Sequence, residues 1–313
     1  MGDGPGNLRE ASKEELARRV RNLRRQVRRL KEGVDPEGVN PNNLVWVFGS
    51  GRTGSTWLAR MLGEHTRAGA EASAGERRNG FWNEPWAGAV FQAALGKAEE
   101  AERRGRGFVL SPHYRAVWLG SLRHLVLSGA NARFGSYGKE DTLVVKEPGG
   151  SFAAPLLMEA LPESRMVFLV RDPRDVVASQ LDAHREGAWM ASERTEQETL
   201  EHVLARYSRN IDAAREAHEM HGGPKSFARY EDIRADPEGE LLRIHLELTL
   251  PIEEERIAFA VKKHAWEAIP AQKKGAGKKF RKASPGSWQE DLTPEQARMV
   301  EKATRPVIEE LYS

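Results

Sequence analysis

The chain contains no cysteine among its 313 residues. Disulfides, cysteine-ligated metal sites and thiol nucleophiles are therefore excluded, and nothing demands an oxidising compartment. Long apolar runs are also missing. No stretch approaches the roughly 18 uninterrupted apolar residues of a membrane-spanning helix, so no integral span is expected. Met1-Gly2-Asp3-Gly4-Pro5 leads into an Arg-rich segment rather than the apolar core of a secretory signal, and the expected location is cytoplasmic. An excess of one charge is lacking as well: 48 Lys+Arg face 46 Asp+Glu, a formal +2. That total gives no whole-chain argument for binding nucleic acid. What is present, 39% hydrophobic and 30% charged residues, fits a globular enzyme-sized chain with a real core.

The balance is local, not uniform. Residues 13–31 hold nine basic and two acidic side chains, with Leu16, Val20, Leu23, Val27 and Leu30 on a heptad stripe. This pattern predicts a basic helix, with a homodimer through it as one expectation. Docking on its own domain, or on a membrane or nucleic-acid surface, are the alternatives. Gly33 to Asn43 reads as a linker, which places a first unit at 1–43 and the main domain at 44–313.

The main domain alternates strand and helix. Apolar runs at Leu44–Phe48, Thr142–Val145, Met166–Val170 and Ser226–Tyr230 predict buried strands. Helical patterns follow at Ser55–Gly63, Ser151–Leu161 and Asp172–Arg185. Such alternation implies an α/β fold of three layers, a central parallel sheet with helices on both faces. Residues 70–140 lack the alternation and read as a largely helical insertion on the acceptor side. Thr293-Pro294-Glu295-Gln296 predicts a capped final helix.

Gly49-Ser50-Gly51-Arg52-Thr53-Gly54-Ser55-Thr56-Trp57 follows a strand and opens a helix, the context of a phosphate cradle. Glycines let the backbone approach an anion, helix-start N–H groups point at it, and Ser55 and Thr56 add hydroxyls. Gly49 and Gly54 have nucleotide P-loop spacing, but Ser55 stands where that loop carries Lys. The cation has moved to Arg52. A kinase using Mg-ATP is the alternative function, weakened by the missing Gly-Lys-Ser/Thr step. A non-catalytic binding module is a third.

The loop resembles that of the sulfotransferases that use 3′-phosphoadenosine 5′-phosphosulfate (PAPS), with Arg as in carbohydrate sulfotransferases. The resemblance implies a P-loop-NTPase-like fold and a sulfuryl transfer that leaves 3′-phosphoadenosine 5′-phosphate (PAP). It implies no metal. Arg52 would contact the transferring group; Gly51, Thr53, Gly54, Ser55 and Thr56 would cradle the 5′-phosphate, and Trp57 would stack on adenine. The acceptor would be a hydroxyl or amine of a small molecule, glycan or lipid, with no nucleic acid partner.

Two Arg at the end of the third strand, Arg171 and Arg174, mark a second anion site. Ser179, eight residues after Arg171, returns along the helix toward it. The other reading is that Asp172, Arg174 and Asp175 simply cap and pair. The family binds the 3′-phosphate with an Arg and a Ser at this spacing. Residues 271–288 carry six basic side chains, no acid and three glycines: a lid for a polyanion, or a solvated loop. Arg281-Lys282-Ala283 through Trp288 resembles the family's C-terminal motif, with Ala283 in place of its first Gly. Tyr230 matches the Tyr that contacts adenine.

Lys146 matches the family's strand-end Lys, but Pro148 stands where the cytosolic enzymes place a basic His. Phe81-Trp82-Asn83-Glu84-Pro85-Trp86 resembles the aromatic-Glu-Pro segment of carbohydrate sulfotransferases, which implies Glu84 as general base, desolvated by aromatics. Glu147, beside Lys146, and His113 are the competitors. Trp82, Trp86, Tyr114 and Trp118 are either acceptor-pocket or core residues.

Overall fold

The computed structural model describes residues 38–64, 80–95, 107, 109, 111–135, 137 and 140–312. The basic helix expected over 13–31 and its dimer lie outside the described residues. The last part of the linker packs on the domain. Val39 is buried in the main core, and its N–H donates to Asn131 Oδ1 at 2.6 Å.

In chain order the main elements are β1 (Leu44–Gly49), α1 (Ser55–Gly63), β2 (Phe81–Asn83), α2 (Ala87–Leu95) and α3 (Arg115–Arg133). Next come β3 (Leu143–Lys146), α4 (Ala154–Ala160), β4 (Arg165–Val170), α5 (Pro173–His184) and α6 (Glu196–Met220). β5 (Lys225–Arg229), α7 (Tyr230–Ala235), α8 (Pro237–Glu247), α9 (Glu254–His264), α10 (Trp288–Asp291) and α11 (Pro294–Leu311) complete them. The five strands form one sheet in the order β2-β3-β1-β4-β5, every pair parallel. The fold is the expected three-layer α/β arrangement, a central parallel sheet with helices on both faces. Among the described residues, no helix is long and apolar enough to cross a membrane.

Both sheet faces are covered, which is why the central strands are apolar throughout instead of alternating. On β1, Leu44, Trp46 and Phe48 face one core, with Leu122 of α3, Leu157 of α4 and Ile211 of α6. Val45 and Val47 face the other, with Leu58 of α1, Ile244 of α8 and Ile257 of α9. Trp46 and Phe48 stack in parallel at 5.6 Å and are fully buried, so truncating either would cost about 3–5 kcal/mol. Helix ends follow the sequence signals. Asp172 caps α5, and Thr293 with Gln296 forms the reciprocal box that starts α11 behind Pro294.

The described part of the segment 70–140 is largely helical, as expected, with one short strand in addition. It holds α2 and α3 and enters through β2, which pairs with β3 from Phe81↔Val144 to Asn83↔Lys146. A strand of three residues is too short to show alternation, so only its pairing partner reveals it.

Candidate active site

All five strands end on the same cavity, about 550 Å³ in volume. Gly51 and Arg52 follow β1, Glu84 follows β2, Lys146 ends β3, Arg171 follows β4 and Tyr230 follows β5; each lines the cavity. This is the crevice at the carboxyl ends of a parallel sheet, where open α/β folds bind ligands. Ser151, fully buried, braces it: its hydroxyl accepts from Gly49 N–H at 2.9 Å and donates to Glu147 O at 2.8 Å. No pattern in the sequence marked that link between the ends of β1 and β3.

The β1–α1 loop needs glycine at two points. A Cβ on Gly49, at φ +149°, would meet Leu169 O at 2.1 Å; one on Gly54, at φ +87°, would meet the Tyr230 ring at 2.4 Å. Arg52 itself adopts φ +73°, uncommon for a side-chain-bearing residue. Its Nε donates to Ser179 Oγ at 2.9 Å, its Nη2 to Lys279 O at 2.8 Å, and its guanidinium lies 5.6 Å from the Trp189 ring. Burial first, then the charges of Arg171 and Arg281, push the Arg52 pKa down to about 10. It stays charged at neutral pH, and the crowding of cations is relieved by an anion. Gly51, Gly54, Ser55, Thr56 and Trp57 line the cavity. Thr53 does not: its hydroxyl donates to Ser50 O at 2.7 Å and closes the turn.

Arg171 and Ser179 face this cavity together, as their spacing predicts. Arg171 lies over the Tyr230 ring at 4.4 Å and reaches Asp175 at 3.4 Å, while its buried Nε has no hydrogen-bond partner. An orphaned guanidinium N–H beside a cation-rich cavity fits an oxyanion. Arg174, by contrast, pairs with Asp172 and Glu301 and covers Trp288, a structural role. Trp57 and Tyr230 meet edge to face at 5.9 Å, and Trp57 Nε1 donates to His264 O.

The basic loop is tied to α5 by two carboxylates seven residues apart. Asp182 accepts from Gly277 N–H at 2.7 Å. Asp175, fully buried, accepts from Gly286 N–H at 2.8 Å and Trp288 N–H at 2.9 Å. Sequence reasoning read Asp175 only as a capping or pairing group. Arg281 and Lys282 line the cavity, with their side chains on Asp291 at 2.6 and 2.9 Å. Ala283 adopts φ +55°, the conformation that glycine takes freely.

The carboxylates exchange the environments expected of them. Glu84, not Glu147, pairs with Lys146: Nζ donates to Oε1 at 2.8 Å, with Thr56 Oγ1 at 3.5 Å. Glu147 sits behind the cavity wall, 1% exposed, its Oε2 accepting from Trp86 N–H at 2.8 Å and its Oε1 unpartnered. Burial, reinforced by the Glu84 charge, pushes its pKa up to about 7. Glu147 thereby holds the Glu84-Pro85-Trp86 turn, in which Glu84 and Trp86 adopt φ +46° and +54°. Strain of this kind persists where surrounding bonds over-determine it.

The four aromatic acceptor candidates do not line the cavity. Trp118 is core, Trp82 packs edge-on to Phe134, and Tyr114 packs on the same core with exposed His113 against it. Trp86 is 41% exposed beside Phe152. Trp189, Met190, Pro148, Phe280 and Arg206 line the cavity instead.

A parallel sheet with a phosphate-type loop at its centre defines a P-loop-like α/β fold. The family model described as "Sulfotransferase family" matches residues 45–254, more than half of the chain, and the chain belongs to that family. It is 31% identical over 123 residues to the omega-hydroxy-beta-dihydromenaquinone-9 sulfotransferase Stf3 of Mycobacterium tuberculosis and of Mycobacterium bovis. The match spans 36% of this chain and only 30% of those relatives' length. Mouse sulfotransferase SULT7A1 complexed with PAP superposes with a TM-score of 0.54 at 14% identity, covering 86% of this chain and 85% of that one. Sulfotransferase STF9 of Mycobacterium avium gives 0.54 at 14%, covering 94% and 81%.

Proposed function

We propose that the chain transfers a sulfuryl group from PAPS to an acceptor hydroxyl or amine. When bound, PAPS supplies the activated sulfuryl group on a phosphate leaving group. The observation that carries this reading is the convergence of Arg52, Lys146, Arg171, Arg281 and Lys282 on one cavity beside an aromatic corner of Trp57 and Tyr230. A tetra-anionic adenine nucleotide matches that set. Gly51, Gly54, Ser55, Thr56 and the Thr53 backbone hold the 5′-phosphate; Arg171, Ser179, Arg281 and Lys282 hold the 3′-phosphate. Arg52, hydrogen-bonded to Ser179, spans the two anion sites.

Catalysis here asks for in-line positioning, charge stabilisation and removal of one proton. Lys146 and Arg52 offset negative charge on the leaving oxygen. Glu84 faces the cavity and takes the acceptor's proton at a carboxylate oxygen; Lys146 and the Glu147-held turn fix its position. Glu147 lines no part of the cavity, so we assign it a positioning role. The Mycobacterium relatives are named for a hydroxylated menaquinone acceptor, which supports hydroxyl chemistry. A small-molecule, glycan or lipid acceptor remains the class.

Calorimetric titration with PAP, followed by turnover of PAPS against an acceptor panel, tests the reading. PAP at one hundred times its Kd should stabilise the fold by about 2.7 kcal/mol. Absence of PAP binding would sink it.

A further inference from the structure

Several cations of the cavity have no task in that scheme, and Arg206 is one of them. Arg206 projects from α6 into the cavity and is half-buried. It makes no hydrogen bond or ion pair among the described residues. Its position is fixed by its helix. One turn further on, fully buried Asn210 donates from Nδ2 to Pro148 O at 2.9 Å, and the adjacent Tyr207 hydroxyl donates to Arg171 O at 3.3 Å. The end of the cavity it serves is also fixed. A Cβ on Gly149 would lie 3.4 Å from Arg206 Nη2 and 3.5 Å from Glu84 Oε2. Arg206 therefore stands near the oxygen of Glu84 that Lys146 leaves open.

We infer that the acceptor carries an oxyanion, a carboxylate, phosphate or sulfate ester, near its nucleophile, and that Arg206 binds it. This rests on the sulfotransferase reading above. An unpaired guanidinium on a fixed helix presents a fork that matches such groups bidentately. Glu84 is the carboxylate that faces it, and further cations stand along α6. His202, one turn earlier, is held below its ordinary value by burial and then by Arg194, Arg206, His184 and Arg209. Arg209 covers Phe152 at 4.4 Å. A mouth lined by cations raises the local concentration of anionic ligands. Pro148, Trp189 and Met190 supply apolar surface for the body of the acceptor.

The test uses the whole protein in two stages. PAP is first titrated into wild type and Arg206→Gln; equal affinity, within about twofold, places Arg206 outside the donor site. Failure of PAP to bind wild type would count against the sulfotransferase reading and not against this one. A large loss of PAP affinity in Arg206→Gln alone would overturn the acceptor assignment. PAPS turnover is then measured on matched pairs: hydroxyphenyl carboxylates against their methyl esters, and sugar phosphates against the free sugars. Wild type should prefer the anionic member of a pair by about tenfold or more in kcat/KM. Arg206→Gln should remove that preference through KM with kcat little changed, and Arg206→Lys should restore part of it. Equal use of neutral members, an unchanged preference in Arg206→Gln, or PAP binding without turnover of any anionic member would each overturn the inference.

Discussion

Glu84 and Lys146 are joined twice. The Glu84 N–H donates to Lys146 O at 2.7 Å, extending the β2–β3 ladder by one rung, and the side chains meet at 2.8 Å. The backbone bond fixes the carboxylate on the cavity wall, where a proton acceptor is required. Glu84→Gln keeps the shape and removes the acceptor function. Turnover should fall by about 100-fold or more while PAP affinity, by calorimetry, stays within about twofold. A fully active Glu84→Gln enzyme would move the base to another group.

Glu147 should make stability depend on pH. Its pKa in the fold is about 7, above the ordinary carboxylate value of 4.5. Between those values the folded state holds a proton that the unfolded chain has released, so stability falls as pH rises and the loss is complete above about 7. Glu147→Gln removes this dependence. From pH 5.5 to 8 its stability relative to wild type should improve by about 2 kcal/mol, read by denaturant melts at each pH. A constant difference would contradict the buried, protonatable Glu147.

Arg171 and the two ends of the adenine nucleotide can be separated with two ligands. Arg171→Ala should weaken PAP binding by about tenfold or more, and that of adenosine 5′-phosphate far less. Comparable losses for both would contradict a 3′-phosphate contact.

Asp175 holds the basic loop from inside the fold, with two backbone N–H groups on its carboxylate. Asp175→Asn replaces one acceptor oxygen by a donor, which should cost about 1–3 kcal/mol. PAP affinity should fall with it, because Arg281 and Lys282 lie on the same loop. Proteolysis within 271–288, slowed by PAP in wild type, should become insensitive to PAP in the variant. Unaltered PAP affinity would show that the loop is held elsewhere.

Ala283 sits at φ +55° where the resembled motif has glycine. Ala283→Gly should leave stability level or raise it by up to about 1 kcal/mol, since relief of left-handed strain opposes the added chain entropy. Ala283→Val should cost about 1–2 kcal/mol, because a branched Cβ fits that region poorly. Equilibrium denaturation of the pair decides it.

The sequence by itself determined the layered α/β plan and the phosphate-type loop. Apolar runs, glycine spacing and cap residues are local signals, carried by neighbours along the chain. It also located the basic loop that the near-neutral total of +2 concealed. Only the tertiary structure decided which carboxylate does what. Glu147, next to Lys146 in the chain, points behind the sheet end because successive side chains of an extended segment alternate in direction. Glu84 reaches Lys146 across sixty-two positions because a three-residue strand pairs with β3. Arg206, Ser151 and Asp175 likewise acquire their places from contacts between distant elements. No periodicity in a single chain encodes such contacts, since they depend on how helices and strands pack in three dimensions.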